Sequence, residues 1–214
     1  MTELMSGAKA EQQETNDIVK QAIADMEKLG ATAVPIEIPS FTDIMKFPSL
    51  SGWEFKFQLN DYLESLGEAA PYHTLEEIIA SGEYLDSHKS SMEARQARTT
   101  LDDNEYRKIV LDRTKLTQES LLKVMAEHQL DALVYPASAE PAGRLGEGQN
   151  SGVNNRLSPF SGFPAITVPA GFTTGGLPVG VEFLGKAFDE GTLIKLAYSY
   201  EQGTQHRKAP ALTP

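Results

Sequence analysis

Four histidines are the first residues to test for chemistry. His73, His88, His128 and His206 are scattered, with no metal-ligand spacing. Asp86 and His88 are two apart, and a helix would splay them onto different faces. No metal site is expected. His128 falls at the end of a helical pattern, where a cation suits the macrodipole. Cysteine is absent, which removes disulfides, Cys-ligated zinc, iron–sulfur clusters and thiol nucleophiles.

Serine chemistry needs an activating base and, commonly, a sharp Gly-rich turn. Ser90 and Ser91 follow Lys89, but their flanks are His-Lys and Met-Glu in a helical stretch without glycine, so they read as exposed helical serines. Ser151-Gly152 and Ser161-Gly162 are loop serines with no adjacent base. Gly143-Arg-Leu-Gly146-Glu-Gly148 resembles a phosphate cradle. It does not open a helix directly, however, and Glu147 would repel phosphate. Spacing alone assembles no nucleophile, base and oxyanion donors.

The elements that must position any site divide into two styles. The 214 residues are enough for one large domain. Residues 1–131 carry 24 Asp/Glu against 13 Lys/Arg, whereas residues 132–214 carry 6 of each, so the whole net charge of −11 lies in the first stretch. The second stretch holds 12 of the 17 glycines and 8 of the 12 prolines, marking a sheet with its loops after solvated helices. The acidic balance argues against nucleic acid and against an anionic membrane surface. No apolar run is long enough to span a bilayer, and the N-terminus lacks a secretory h-region, so a cytoplasmic location is expected.

In the first stretch, residues 11–29 read as an amphipathic helix with Ile18, Ala22, Met26 and Leu29 on one stripe, widened by Val19 and Ile23. Ala31–Ile38, between Pro35 and Pro39, reads as an edge-like strand. Residues 51–67 read as a helix with Ser51 and Glu54 in capping-box spacing and Phe55, Leu59, Tyr62, Leu63 and Leu66 on one face. Thr74 with Glu77 opens a short helix that stops near Gly82, residues 84–98 form another, and Asp102 with Glu105 starts a long one to about His128.

In the second stretch, Asp131–Pro136 reads as a buried strand followed by a loop of roughly 25 residues, a length that usually marks function or disorder. Pro164–Pro169 and Pro178–Gly185 read as two strands joined by a Gly-rich turn at Thr173–Gly176. Asp189 caps a last helix with the stripe Leu193, Leu196, Ala197 and Tyr200. The expected class is α/β, a β-sheet with helices on its faces.

From Leu130 onward the sequence resembles the amidase signature family. The resemblance is carried by Leu130-Asp-Ala-Leu-Val-Tyr-Pro136, Asn155-Arg-Leu-Ser158, Ser161-Gly-Phe-Pro-Ala-Ile-Thr-Val-Pro-Ala-Gly-Phe172 and Gly176-Leu-Pro-Val-Gly-Val-Glu-Phe-Leu-Gly185. It continues through Phe188-Asp-Glu190 and Leu196-Ala-Tyr-Ser-Tyr-Glu-Gln202, then Thr204 and Arg207. The resemblance implies a mixed sheet covered by helices and a single partial amidase domain over 1–214. Within it, 1–40 is a helix–strand unit, 41–128 a helical insertion and 129–214 the family-matching region.

It also implies hydrolysis of an amide C–N bond. In the family a serine attacks the carbonyl, a second serine with a cis peptide relays its proton to a lysine, and Gly-rich backbone N–H groups hold the oxyanion, with no metal or organic cofactor. The family's Gly/Ser-rich signature and its lysine segment have no match here, so no catalytic residue carries over to this chain. Tyr135, Pro136, Ala137, Ser138 and Asn155 are the expected pocket wall, since open α/β sheets bind ligands beyond strand ends.

The expected function is the C-terminal portion of an amidase, acting on a small amide with an N-terminal amidase half as partner. The alternative is a non-catalytic binding or assembly module derived from one. An independent hydrolase using its own serines is a third reading. Strand edges left open invite self-association, most simply a homodimer.

Overall fold

The structure is a computed structural model that describes residues 1–146 and 154–210. In chain order its elements are α1 (Ala10–Lys28), α2 (Phe41–Lys46), α3 (Ser51–Ser65), α4 (Leu75–Ser81), α5 (Lys89–Gln96) and α6 (Asn104–Glu127). Then come β1 (Leu133–Pro136), α7 (Leu157–Ser161), β2 (Ala165–Phe172), β3 (Pro178–Leu184) and α8 (Glu190–Thr204). Three single 3-10 turns lie at Glu3–Met5, Gly67–Ala69 and Asp86–His88. The residues fall into two compact units, one of 1–45 with 114–214 and one of 46–113.

In the larger unit the three strands form one sheet in the order β1-β3-β2, each neighbour antiparallel. The α/β class with helices on a sheet is as expected, and every strand pair among the described residues is antiparallel. Residues alternate across a strand, so β3 turns Val179, Val181 and Phe183 to one face. There they join Val168 and Ala170 of β2 against Val19, Ala22 and Met26 of α1 and Leu193, Ala197 and Tyr200 of α8. The Gly-rich turn forms as expected: Thr173 N–H donates to Leu177 O at 2.8 Å, and Gly176 takes a φ of 83° that favours glycine.

The α1 stripe is rotated from the expected one. Val19, Ala22 and Met26 are buried with Thr15 and Asn16, while Leu29 is 50% exposed. The stretch Ala31–Ile38 is a correction: it is extended, with Ile36 and Ile38 buried, but it pairs in no ladder. Pro35 and Pro39 have no donors to offer. Two of its backbone groups bond to N-terminal residues instead. Thr2 N–H donates to Ile36 O at 3.1 Å, and Ile38 N–H donates to the Glu3 carboxylate.

In the unit 46–113, α3 carries a row of aromatics met by cations. The Arg98 guanidinium lies 4.4 Å from the Trp53 ring and that of Arg95 lies 4.6 Å from the Phe55 ring. Lys56 Nζ donates to the Gln96 and Arg98 carbonyls at 3.0 Å each, satisfying acceptors that the end of α5 leaves over. The Thr74 cap forms as read, its hydroxyl accepting Glu77 N–H at 3.1 Å, and Gly82 ends α4 with a φ of 71°. Two capping boxes shift by a residue or two. Ser49 rather than Ser51 accepts a backbone N–H at the start of α3. Asp103 rather than Asp102 accepts Glu105 and Tyr106 N–H at the start of α6. Asp102 pairs with Arg107 instead, so its carboxylate is already engaged.

Tyr200 anchors α8 beneath the sheet, its ring edge-on to Phe183 with centroids 6.3 Å apart. Burial, with the nearby Asp25 charge adding to it, pushes the Tyr200 hydroxyl up to about 12 from an ordinary value of 10.0. The folded chain therefore holds that proton more tightly than the unfolded one. The resulting stabilisation is complete below pH 10 and is lost as pH climbs through about 12. Denaturant midpoints should fall across that window, and Tyr200→Phe should flatten the fall. An unchanged pH profile in the variant would refute this role.

Candidate active site

The end of β1 is where the sheet opens into its long loop. The ladder runs one step past the strand, with Ala137 N–H donating to Gly180 O at 3.1 Å, and then the chain leaves the sheet. Asn154, 8% exposed, closes the loop at its far end. Its carboxamide donates to Pro136 O at 2.9 Å and its backbone N–H donates to Ala137 O at 3.3 Å. A second, longer contact of 3.4 Å joins the same carboxamide to Leu4 O.

The near limb of the loop is tied to α1 by charge. Glu140 Oε1 accepts from Lys9 Nζ and from Gln12 Nε2, each at 2.8 Å, and the Glu140 side chain is only 7% exposed. The hydrogen bond to Glu140, with its charge, raises the Lys9 ammonium above its usual value. Ser138 Oγ donates to Glu140 O at 2.8 Å, a local turn that folds the limb back on itself. The space so framed is a cleft of about 280 Å³. Its walls are Ala137, Ser138 and Glu140 to Gly143 of the loop, Thr15 of α1 and Pro178 to Gly180 of β3. Gly180 is required there, since a Cβ would sit 2.7 Å from Thr167 Cγ2.

Two residues along β3 from Gly180, on the same sheet face, lies a buried carboxylate. Glu182, 5% exposed in the middle of β3, accepts from Tyr135 Oη at 2.6 Å and from Thr167 Oγ1 at 3.1 Å. Tyr135 and Thr167 are its direct register partners on the two flanking strands. One rung thus links all three strands through side chains. Burial first, then the Glu182 charge and hydrogen bond, push the Tyr135 hydroxyl far above the ordinary phenol range.

Of the residues singled out from sequence, Ala137 and Ser138 line the cleft. Tyr135 and Pro136 are buried behind it, one turned to Glu182 and the other accepting from Asn154. Asn155 is exposed, one residue along from the asparagine that closes the loop. Ser161, 1% exposed, donates to Leu157 O at 2.7 Å and accepts Phe163 N–H at 3.1 Å, which is the bonding of a turn. Ser91 donates to His88 O at 2.9 Å on the exposed side of α5. Glu147, Gly148, Ser151 and Gly152 lie outside the described residues. No group of three His, Asp or Glu side chains that could hold a metal ion occurs among the described residues. Sequence reading passed over Glu140, Asn154 and Glu182. Only Glu182 had a signal, as the one charge inside an apolar strand.

The chain matches the amidase family model over residues 6–194. It belongs to the amidase family. A probable amidase of Arabidopsis thaliana is 34% identical over 163 residues, covering 73% of this chain and 29% of the plant protein. A glutamyl-tRNA(Gln) amidotransferase polypeptide of Thermodesulfovibrio yellowstonii is 26% identical, covering 93% of this chain and 44% of the bacterial protein. Among solved structures, the native peptide amidase of Stenotrophomonas maltophilia superposes with a TM-score of 0.78 at 31% identity, covering 91% of this chain and 40% of the amidase. The chain therefore spans less than half the length of these relatives.

The Glu182 rung sets a measurable stability term. Tyr135→Phe removes a hydrogen bond to a buried carboxylate and leaves Glu182 with Thr167 alone. The expected loss is about 1.5–3 kcal/mol in denaturant unfolding. A change below about 0.5 kcal/mol would mean that the Glu182 carboxylate gains nothing from the phenol.

Proposed function

We propose that this chain forms the C-terminal part of an amidase that hydrolyses amide C–N bonds, with a serine, a cis-peptide serine and a lysine supplied from outside residues 1–214. The observation that carries the reading is the cleft at the end of β1, framed by Ala137, Ser138 and Glu140 in a chain that belongs to the amidase family. The cleft offers shape and backbone polarity to a small amide. The hydroxyls described around it and along α7 are committed to backbone carbonyls at 2.7–2.9 Å, as Ser138, Ser161 and Thr15 show. None stands beside a histidine or lysine base in a nucleophile's geometry, which is the support for placing the chemistry elsewhere.

In this reading the segment bearing the Gly/Ser-rich signature is the partner of the chain, and the reacting carbonyl sits between that segment and the cleft. Ala137 and Ser138 act as pocket wall. Tyr135 and Pro136 hold the wall from behind, and Asn155 contributes from the solvent side. No organic cofactor takes part. The reaction proceeds by serine attack on the amide carbon, expulsion of the amine with a proton relayed through the serine–lysine pair, and hydrolysis of the acyl-enzyme by water. No helix among the described residues is long and apolar enough to cross a membrane.

A serine-reactive fluorophosphonate tests where the nucleophile resides. Incubated with the 214-residue chain beside a complete amidase as control, it should label the control and leave this chain unmodified by intact-mass measurement. Stoichiometric modification of one serine in this chain would overturn the assignment and favour an independent hydrolase.

A further inference from the structure

Past the end of α8 the chain turns back on itself. Gln205 adopts a left-handed φ of 48°, and its N–H donates to Glu201 O at 2.8 Å to close the helix. The residues that follow are held at two points. His206 comes beside Asp25 in the last turn of α1, and the Lys208 ammonium lies 5.5 Å from the centre of the Phe172 ring at the end of β2. The two helix ends meet closely because position 203 carries no side chain: a Cβ on Gly203 would sit 2.6 Å from Leu29 Cδ1. Residues 205–208 thus form a strap from α8 across α1 to the end of β2.

His206 is the ionisable group that this strap turns inward. Its Nε2 is buried and has no hydrogen-bond partner among the described residues. Asp25 Oδ2 stands 3.8 Å away, beyond hydrogen-bond reach. Oδ1 of the same carboxylate is already engaged, accepting from Lys28 Nζ at 2.7 Å and from Gln21 Nε2 at 3.0 Å. The bond to Lys28 holds Asp25 below its ordinary carboxylate value, so it keeps its charge where histidines titrate. From α8 the Tyr200 ring packs against the imidazole, with centroids 6.1 Å apart, and it is uncharged over that range. Glu201, Arg207 and Lys208 of the same stretch are exposed. A neutral imidazole leaves Nε2 either as a lone pair facing a carboxylate or as an over-long donor. A proton makes it a cationic donor facing Oδ2. The C-terminal ends of α1 and α8 both lie beside it, and both favour positive charge.

We propose that His206 and Asp25 form a pH-operated latch on the strap 205–208: protonation of His206 closes the strap onto α1, and loss of that proton releases it. Histidine changes its charge between about pH 5 and 8, so the latch is shut at the acid end of that window and open at the alkaline end. Once open, the strap keeps only the Gln205 turn and the Lys208 contact with Phe172, and it gains ps–ns mobility. Tyr200 stays packed on Phe183 in either state. The inference stands apart from the amidase reading, since neither latch residue lines the cleft.

Backbone amide relaxation tests it residue by residue. Order parameters at His206, Arg207 and Lys208 should be near those of rigid backbone, about 0.85, at about pH 5.5 and fall below about 0.6 at about pH 8. Those of α1 and α8 should stay constant. His206→Gln should give the low values at both pH values. His206→Lys, a cation throughout the window, should give the high values at both. Asp25→Asn should also remove the pH dependence. His73, His88 and His128 remain in every variant, so an effect carried by any of them would persist. Order parameters at 206–208 that do not change with pH in the unsubstituted chain, or a change that survives in His206→Gln or in Asp25→Asn, would each overturn the proposal.

Discussion

A carboxylate placed under a sheet has to be answered, and the answer given to Glu182 organises the larger unit. Burying an ionised side chain without partners costs several kcal/mol. Here the partners come from both neighbouring strands at a single register position, a phenol on one side and a hydroxyl on the other. Sliding either strand by one residue would turn its partner group to the opposite face and strand the carboxylate. The rung thus acts against misregister more than it adds to net stability. It also fixes how the end of β1 and the start of β3 meet, and that meeting is the floor of the cleft.

From this constraint the rest follows outward. With the register set, the opposite sheet face presents an unbroken apolar surface that α1 and α8 cover. The start of α1 is thereby brought beside the loop that leaves β1, close enough for Lys9 and Gln12 to hold Glu140. The cleft walls come from a helix, a loop and a strand that are far apart in the chain. Their polar side chains, Thr15, Ser138 and Glu140, are each held by a hydrogen bond within this unit.

The sheet and its flanking helices were legible because their signals are local. Val-Gly-Val in β3, the stripe on α8 and the turn at Thr173–Gly176 each announce themselves within a few residues. The extended stretch at 31–38 carried the same β-branched signal, yet strand formation depends on a partner, and its partner groups are supplied by Thr2 and Glu3. Local pattern cannot report that. The site was legible only in part, for a related reason. Ala137 and Ser138 follow from the strand end, but Glu140 gains its meaning from Lys9, more than a hundred residues earlier. Asn154 and Asn155 cannot be told apart by type, because only the backbone direction decides which of them turns inward.

The Asn154 stitch separates the loop's ends from its contents. One carboxamide and one N–H hold the chain's exit from β1 and its return together, so the sheet does not depend on what lies between. Closure entropy grows only with the logarithm of loop length, and each doubling costs roughly 0.6 kcal/mol. A change in the length of chain between Ala137 and Asn154 therefore costs the sheet little. The cleft wall at Pro141–Gly143 can thus change while the strands and the buried carboxylate stay as they are.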